Sequence, residues 1–188
     1  MNLFLDTSNN KLIIILEKNN EIIDSFFLDN QIRISDITIN ELNNLLKNNR
    51  LTIKDIDNLY VIKGPGSYTG VRVGITIVKT LKTLNNKFKI YVLSSLAFQA
   101  STKKVISILD AKGKNIYLGI YDKGKNIIED QLVPLEYLKD FEQQFLNFRL
   151  VEDYKEIDFK ECYLQTKIFF QEIKEIKDIK PLYIKSFI

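Results

Sequence analysis

The stretch LYVIKGPGSYTGVRVG, Leu59 to Gly74, decides how the rest of the chain is read. Leu59–Ile62 is an apolar run with the length and composition of a strand. From Val71 to Leu84 apolar residues recur at helical spacing. Gly64, Gly66 and Gly70 between them admit backbone angles that a side chain would forbid, and Pro65 cannot continue a ladder. A strand-to-helix elbow of this kind sets backbone N–H groups near a helix N-terminus. There it can cradle an anion, or it can simply turn a corner. The elbow loop, Gly64, Pro65, Gly66, Ser67, Tyr68, Thr69 and Gly70, departs from a P-loop, because Lys63 precedes the first glycine and Val71-Arg72 follow the last. It is also one residue longer than the dinucleotide fingerprint and follows an internal strand. A structural corner is the expectation.

Outward from the elbow, alternating and periodic apolar segments organise the chain. Leu3–Leu5, Leu12–Glu17 and Glu21–Leu28 read as a three-stranded meander, with Lys18-Asn19-Asn20 as a polar turn. Ser35–Lys47 reads as a helix carrying Ile39, Leu42, Leu45 and Leu46, capped by Ser35 or by Thr38 with Glu41. Ile90–Leu93 is a further strand, and Ser94–Ala100 a short helix. Meander strands pair antiparallel, while strands reached through a helix run parallel. The order βββαβαβ therefore predicts a ribonuclease-H-like mixed sheet flanked by helices.

A weaker copy follows. Val105–Asp110 ends in an acid, and Asn115–Tyr121 and Asn126–Glu129 flank the turn Asp122-Lys123-Gly124. Pro134–Phe145 has helical character, Phe148–Val151 is a candidate strand, Gln165–Glu172 a helix, and Ile173–Lys180 a frayed amphipathic helix. The expected fold is thus α/β, two-lobed and actin-like (the ASKHA class), with a mixed sheet and flanking helices in each lobe and the second lobe reduced. The boundaries are residues 1–102 for the first lobe and 103–188 for the second.

Composition narrows the chemistry. Hydrophobic residues make up 45%, enough for a core, and 27 basic against 24 acidic residues force no nucleic-acid reading. The single Cys162 cannot form an internal disulfide, which fits a reducing compartment. No apolar run reaches membrane length, and Asp6 comes too early for a secretory signal, so a cytoplasmic protein is expected. Histidine is absent, which removes Ser-His-Asp and Cys-His catalysis and histidine-based zinc sites. Asp6 and Asp110 each end the first strand of a lobe, where actin-type ATPases hold phosphates and metal-bound water. The plainer reading is that each carboxylate pins its own strand-end turn. After Gly124 the second lobe has no glycine for an adenosine loop.

The helix after the elbow carries a surplus. At about 100° per residue its apolar side chains span roughly 200°, twice a usual core stripe. Gly70 and Gly74 would leave a notch for close helix approach. Either the chain buries this surface itself or a partner protein covers it.

Taken together, these residues resemble the TsaB (YeaZ) family. LFLDTSNNKLIIIL resembles its ALDTS strand pair, and Arg33-Ile34-Ser35-Asp36 its R-x-H-S-E helix start. Ile56-Asp57-Asn58 through Gly74 resembles its LD-x-I…GPGSFTGLRIG signature, and Tyr91–Leu96 its G-V-S-S-L. Leu109–Tyr117 resembles its DAR-x-x-EVY, and Pro181–Lys185 its closing P-x-YLR. The likeness is dense to residue 121 and sparse beyond it. It implies a subunit without catalytic residues in bacterial threonylcarbamoyladenosine biosynthesis. Such a subunit pairs with TsaD, which modifies adenosine 37 of tRNAs reading ANN codons, and the pair docks the small ATPase TsaE. Nucleotide and metal would sit on the partner subunits, and tRNA would be met only through the complex. The implied interface is Ser35, Ile39, Leu42 and Leu46 on one helix and Gly70, Val73, Gly74, Ile77 and Leu81 on the other. A homodimer through the same helices stays open. Ile34 stands where the family has histidine, and the short second lobe puts TsaE docking in doubt. The competing readings are a small actin-fold ATPase or phosphotransferase, and a glycoprotease-like peptidase, which the lack of histidine disfavours.

Overall fold

The computed structural model describes residues 1–29 and 34–184. Arg33 and Lys185, part of two of the motifs above, lie outside these residues. The first sheet contains β1 (Asn2–Asp6), β2 (Leu12–Lys18), β3 (Glu21–Leu28), β4 (Asn58–Ile62) and β5 (Lys89–Leu93). Its order is β5-β4-β1-β2-β3, with a sixth strand from late in the chain on the β5 edge. β1 pairs antiparallel with β2, and β2 with β3; β1 runs parallel to β4, and β4 to β5. Asn19 and Asn20, both with positive φ, make the tight turn between β2 and β3. The mixed sheet is thus the one that the order of elements predicts.

One face of this sheet is covered by α1 (Ile34–Asn48) and α2 (Tyr68–Leu84). Strand residues alternate between faces, so Leu3 and Leu5, Leu12, Ile14 and Leu16, and Leu59 and Val61 pack with Leu42, Leu45 and Leu46 of α1 and Val71, Ile75 and Val78 of α2. On the opposite face Tyr60 stacks on Tyr91 at 4.7 Å between ring centres. Phe170 meets both Tyr60 and Phe4 edge-on. Burial pushes the Tyr60 hydroxyl up to about 12, with Tyr91 and the buried Glu17 carboxylate adding to the effect.

The second sheet has β6 (Val105–Lys112), β7 (Asn115–Asp122), β8 (Lys125–Pro134) and β9 (Arg149–Glu152), in the order β8-β7-β6-β9. β6–β7 and β7–β8 are antiparallel and β6–β9 parallel. This repeats the β3-β2-β1-β4 part of the first sheet, with four strands against six. α3 (Ser95–Ala100), α4 (Leu138–Gln144) and α5 (Phe159–Thr166) complete this part of the chain. In the β7–β8 turn, Gly124 has φ +77, and a Cβ there would collide with the Phe169 ring, so both backbone and space demand glycine.

The last segment departs from the reading of the sequence. Gln165–Glu172 is not a helix; α5 ends at Thr166, and Gln171–Ile173 is strand β10, antiparallel to β5 on the edge of the first sheet. Nor is Ile173–Lys180 an amphipathic helix: only Ile176–Asp178 forms a helical turn. The three-residue spacing of Ile173, Ile176 and Ile179 serves a strand end followed by one tight turn, with Ile179 buried in the first core. Contacts divide the chain into two units. One is Met1–Lys63 with Ser67–Leu93 and Phe170–Pro181; the other is Gly64–Gly66 with Ser94–Phe169 and the short described tail after Pro181. No described helix is long and apolar enough to cross a membrane.

Candidate functional site: the elbow and the α1/α2 groove

The elbow begins where β4 ends. The Gly64–Pro65 peptide is cis, and Gly64 has φ +95. Several main-chain groups at the loop and its ends are engaged within the protein. Lys63 N–H donates to Leu93 O at 3.0 Å, and Ser67 N–H donates to Ser8 O at 2.6 Å. Ser95 donates its N–H to Gly64 O at 3.0 Å and its hydroxyl to Pro65 O. Ser67 caps α2, its Oγ accepting from Gly70 N–H at 3.3 Å. α2 therefore starts at Tyr68, three residues before the expected Val71, and Tyr68, Thr69 and Gly70 are its first turn. These hydrogen bonds tie the loop to Ser8, Leu93 and Ser95.

Thr7, which sequence reasoning passed over, is the stitch between β1 and α2. Its hydroxyl donates to Gly70 O at 2.7 Å and accepts from Gly74 N–H at 3.1 Å. This overturns one expectation. Gly70 and Gly74 are not a notch for a partner helix: a Cβ on Gly70 would collide with Thr7 O, and one on Gly74 would lie 2.8 Å from Thr7 Oγ1 and 3.3 Å from Val61. The glycines let α2 sit close on the protein's own first strand. Leu42 and Leu46 are likewise core residues, 5% and 4% exposed, so the interface reading fails for all four. Thr38 is no cap either; its hydroxyl donates to Ile34 O at 2.6 Å from inside α1. Ile34, at the family's histidine position, is itself buried in the core.

What remains of the expected interface is a coherent surface. Ser35 and Ile39 of α1 and Val73 and Ile77 of α2 line a groove of about 380 Å³, completed by Tyr68, Thr69, Arg72 and Thr76. Ile39 is 48% exposed. Val73 is half-buried, whereas Ile77 and Leu81 also pack against the core cluster. The apolar surplus of α2 is thus real but narrower than the arc count suggests, running from Val73 to the exposed Leu84. Arg72 and Tyr68 rim the groove together: the guanidinium donates to Tyr68 Oη at 2.7 Å and lies 5.0 Å from the ring centre. Their i,i+4 spacing on one helix face was the available sequence signal.

Each of the two strand-end acids accepts a hydrogen bond from the main chain of its own turn. Asp6 is fully buried and its Oδ1 accepts from Ser8 N–H at 2.7 Å. Asp110 accepts from the Lys112 N–H at 2.7 Å and pairs with the Lys112 ammonium at 2.6 Å. These bonds hold the Asp110 carboxyl below its ordinary value. Ser94 meets a carboxylate from a distant strand. Its hydroxyl donates to Asp130 of β8 while accepting from Leu96 and Ala97 N–H. Tyr121 donates to the other Asp130 oxygen, and burial together with that carboxylate pushes the phenol well above its usual value. The result ties α3 to β7 and β8. No sequence signal links residues 36 positions apart. Among the described residues, no group of three or more Asp, Glu, Cys or His could hold a metal ion.

Comparison with known proteins gives a consistent picture. Residues 33–174 match the family model described as TsaD, tRNA N6-adenosine threonylcarbamoyltransferase. An uncharacterized protein of Mycoplasma genitalium, MG208, is 29% identical over 190 residues, covering 98% of this chain and 94% of its own. The Bacillus subtilis tRNA threonylcarbamoyladenosine biosynthesis protein TsaB is 33% identical over 137 residues, covering 70% of this chain and 59% of its own. The structure of YeaZ from Pseudomonas aeruginosa superposes with a TM-score of 0.77 at 17% identity, over 97% of this chain and 98% of that one. That likeness establishes the shared actin-like α/β fold.

Proposed function

We propose, from the premise that this chain belongs to the TsaB (YeaZ) family, that it serves tRNA threonylcarbamoyladenosine biosynthesis as a non-catalytic scaffold that pairs with TsaD. The observation that carries the reading is the groove between α1 and α2. Aliphatic side chains on two adjacent helices, Ile39, Val73 and Ile77, stand partly in water with a polar rim around them. Such a patch, continuous across two adjacent helices, fits an amphipathic helix pair of another protein.

The remaining features favour a supporting role over chemistry. Asp6 and Asp110 are each engaged in their own turns, and the chain has no histidine to act as general base. On this reading the chain alone holds no cofactor, nucleotide and metal belong to TsaD and the ATPase TsaE, and tRNA is engaged by the assembly.

The test is to mix the purified chain with TsaD and measure mass by light scattering on a size-exclusion column. A one-to-one complex is expected, with neither ATP turnover nor tRNA modification by the chain alone. Single-chain ATP turnover that disappears in Asp6→Ala would overturn the proposal in favour of an actin-fold ATPase.

A further inference from the structure

The groove between α1 and α2 carries a single charge. Of the side chains that line it only Arg72 is ionised; the others are aliphatic or bear neutral hydroxyls. α2 itself contains no Asp or Glu. Among the described residues no carboxylate forms an ion pair with Arg72. The acid next to the lining is Asp36, which follows Ser35 and accepts its hydroxyl at 3.0 Å. Glu41 lies about 200° round α1 from Ile39, on the other side of the helix. Lys79, about two turns beyond Arg72 on the same side of α2, adds a cation and no acid.

Arg72 is also held ready. It is exposed, and its guanidinium donates to Tyr68 Oη at 2.7 Å while lying over the Tyr68 ring, 5.0 Å from its centre. A long side chain laid along an aromatic ring one turn away has less freedom left to lose on binding than an unrestrained one. Tyr68 takes a donor from Nη1 only. The edge formed by Nε and Nη2, which meets a carboxylate with two parallel bonds, makes no hydrogen bond among the described residues.

We infer that Arg72 is the specificity-determining contact of the groove, taking a carboxylate from an Asp or Glu of the protein that docks there. The inference rests on the proposed pairing with TsaD and names the chemistry of that contact. Docking covers Ile39, Val73 and Ile77 and strips water from the guanidinium beside them. A charge desolvated without a counter-ion is costly, so the occupant has to bring an acceptor. One guanidinium matches one carboxylate in charge and in two-pronged geometry. A phosphate would keep uncompensated negative charge against aliphatic side chains. A second copy of this chain is the poorer occupant. Each copy would bring Arg72 and Lys79 against one adjacent acid, Asp36, which is already bonded to Ser35, and facing like charges oppose association.

The experiment is titration calorimetry of the purified chain against TsaD, with variants at Arg72 and Tyr68. Arg72→Gln should weaken the complex about 30-fold or more, the usual loss when one member of a desolvated charge pair is removed. Arg72→Lys keeps the charge but not the fork and should lose about tenfold. Tyr68→Phe should lose about threefold with Arg72 present and nothing further in the Arg72→Gln background, because it acts by positioning the guanidinium. Urea midpoints should not move, since Arg72 is exposed and bonds only to Tyr68 among the described residues. Among single Asp→Arg and Glu→Arg changes on TsaD, one should restore about tenfold of the affinity that Arg72→Glu loses. Arg72→Gln within about threefold of wild type, Arg72→Lys equal to wild type, or no TsaD change that rescues Arg72→Glu would overturn the inference. So would an Arg72→Gln change that weakens self-association of the chain in sedimentation while TsaD binding holds. The two readings fail separately. No complex with the wild-type chain defeats the scaffold reading. A complex that Ile39→Glu weakens and Arg72→Gln does not leaves that reading standing and defeats this inference alone.

Discussion

Ile39 and Leu42 sit less than one turn apart on α1, yet one is 48% and the other 5% exposed. Replacing each in turn separates docking from folding. Full burial of an isoleucine is worth about 1.5–3 kcal/mol, so Ile39→Glu forfeits about 1 kcal/mol of folding stability for the half already covered. In a complex that covers the other half, another 1 kcal/mol or so is lost, and an unpaired carboxylate is driven out of water at a further cost of about 2 kcal/mol or more. Affinity for TsaD should therefore drop by about 3 kcal/mol, on the order of 100-fold. Leu42→Ala empties a core position and should cost about 2–5 kcal/mol in folding, with little direct effect on affinity for the molecules that remain folded. Urea denaturation of the isolated chain measures the first quantity, and titration calorimetry with TsaD at a temperature where both variants are folded measures the second. If Ile39→Glu destabilises the chain as much as Leu42→Ala, or leaves affinity within threefold of wild type, the groove is not the docking face.

Three further outcomes follow from the geometry. Thr7→Val removes the hydroxyl between Gly70 O and Gly74 N–H in a fully buried place, and should lower stability by about 2 kcal/mol in urea denaturation; a neutral change would mean that the β1–α2 stitch is dispensable. Asp110 has its carboxyl lowered by Lys112, so its contribution is fully present above the ordinary carboxylate value and disappears as pH falls through the lower folded-state value. Because the pair is largely exposed, Asp110→Asn should cost under about 1 kcal/mol at pH 7 and nothing at the acid end of that range, read from denaturation midpoints against pH. The Cys162 thiol, pushed up to about 11 by burial, should react with a thiol reagent at pH 8 only as fast as the protein opens; rapid stoichiometric labelling of the native chain would contradict its placement.

Local pattern carried the first half of this protein. The alternation in Leu3–Leu5 and Leu12–Glu17, the elbow at Gly64–Gly70 and the periodicity of Val71–Leu84 are short-range signals. Each reports a period or a turn that neighbouring residues set among themselves. The mixed strand order followed because parallel pairing requires a crossover and antiparallel pairing needs only a turn. The same signals misled where burial had to be assigned. Leu42 and Ile39 look alike along the sequence, and so do Gly74 and any helix-contact glycine. Which of them meets β1 and which meets water depends on where Thr7 and Val61 lie.

The late segment makes the same point. Ile173, Ile176 and Ile179 have a spacing that a helix would accept, but β5 offers an unpaired edge, and a strand that satisfies its N–H and C=O groups wins over a frayed helix. Asp130 finds Ser94 and Tyr121 across strands that the chain reaches only by folding back. Residue type and spacing thus settle the elements and their order. The partners of long-range polar groups, and the side of each helix left facing solvent, arise only when the sheets assemble, because those energies belong to residues distant in the chain.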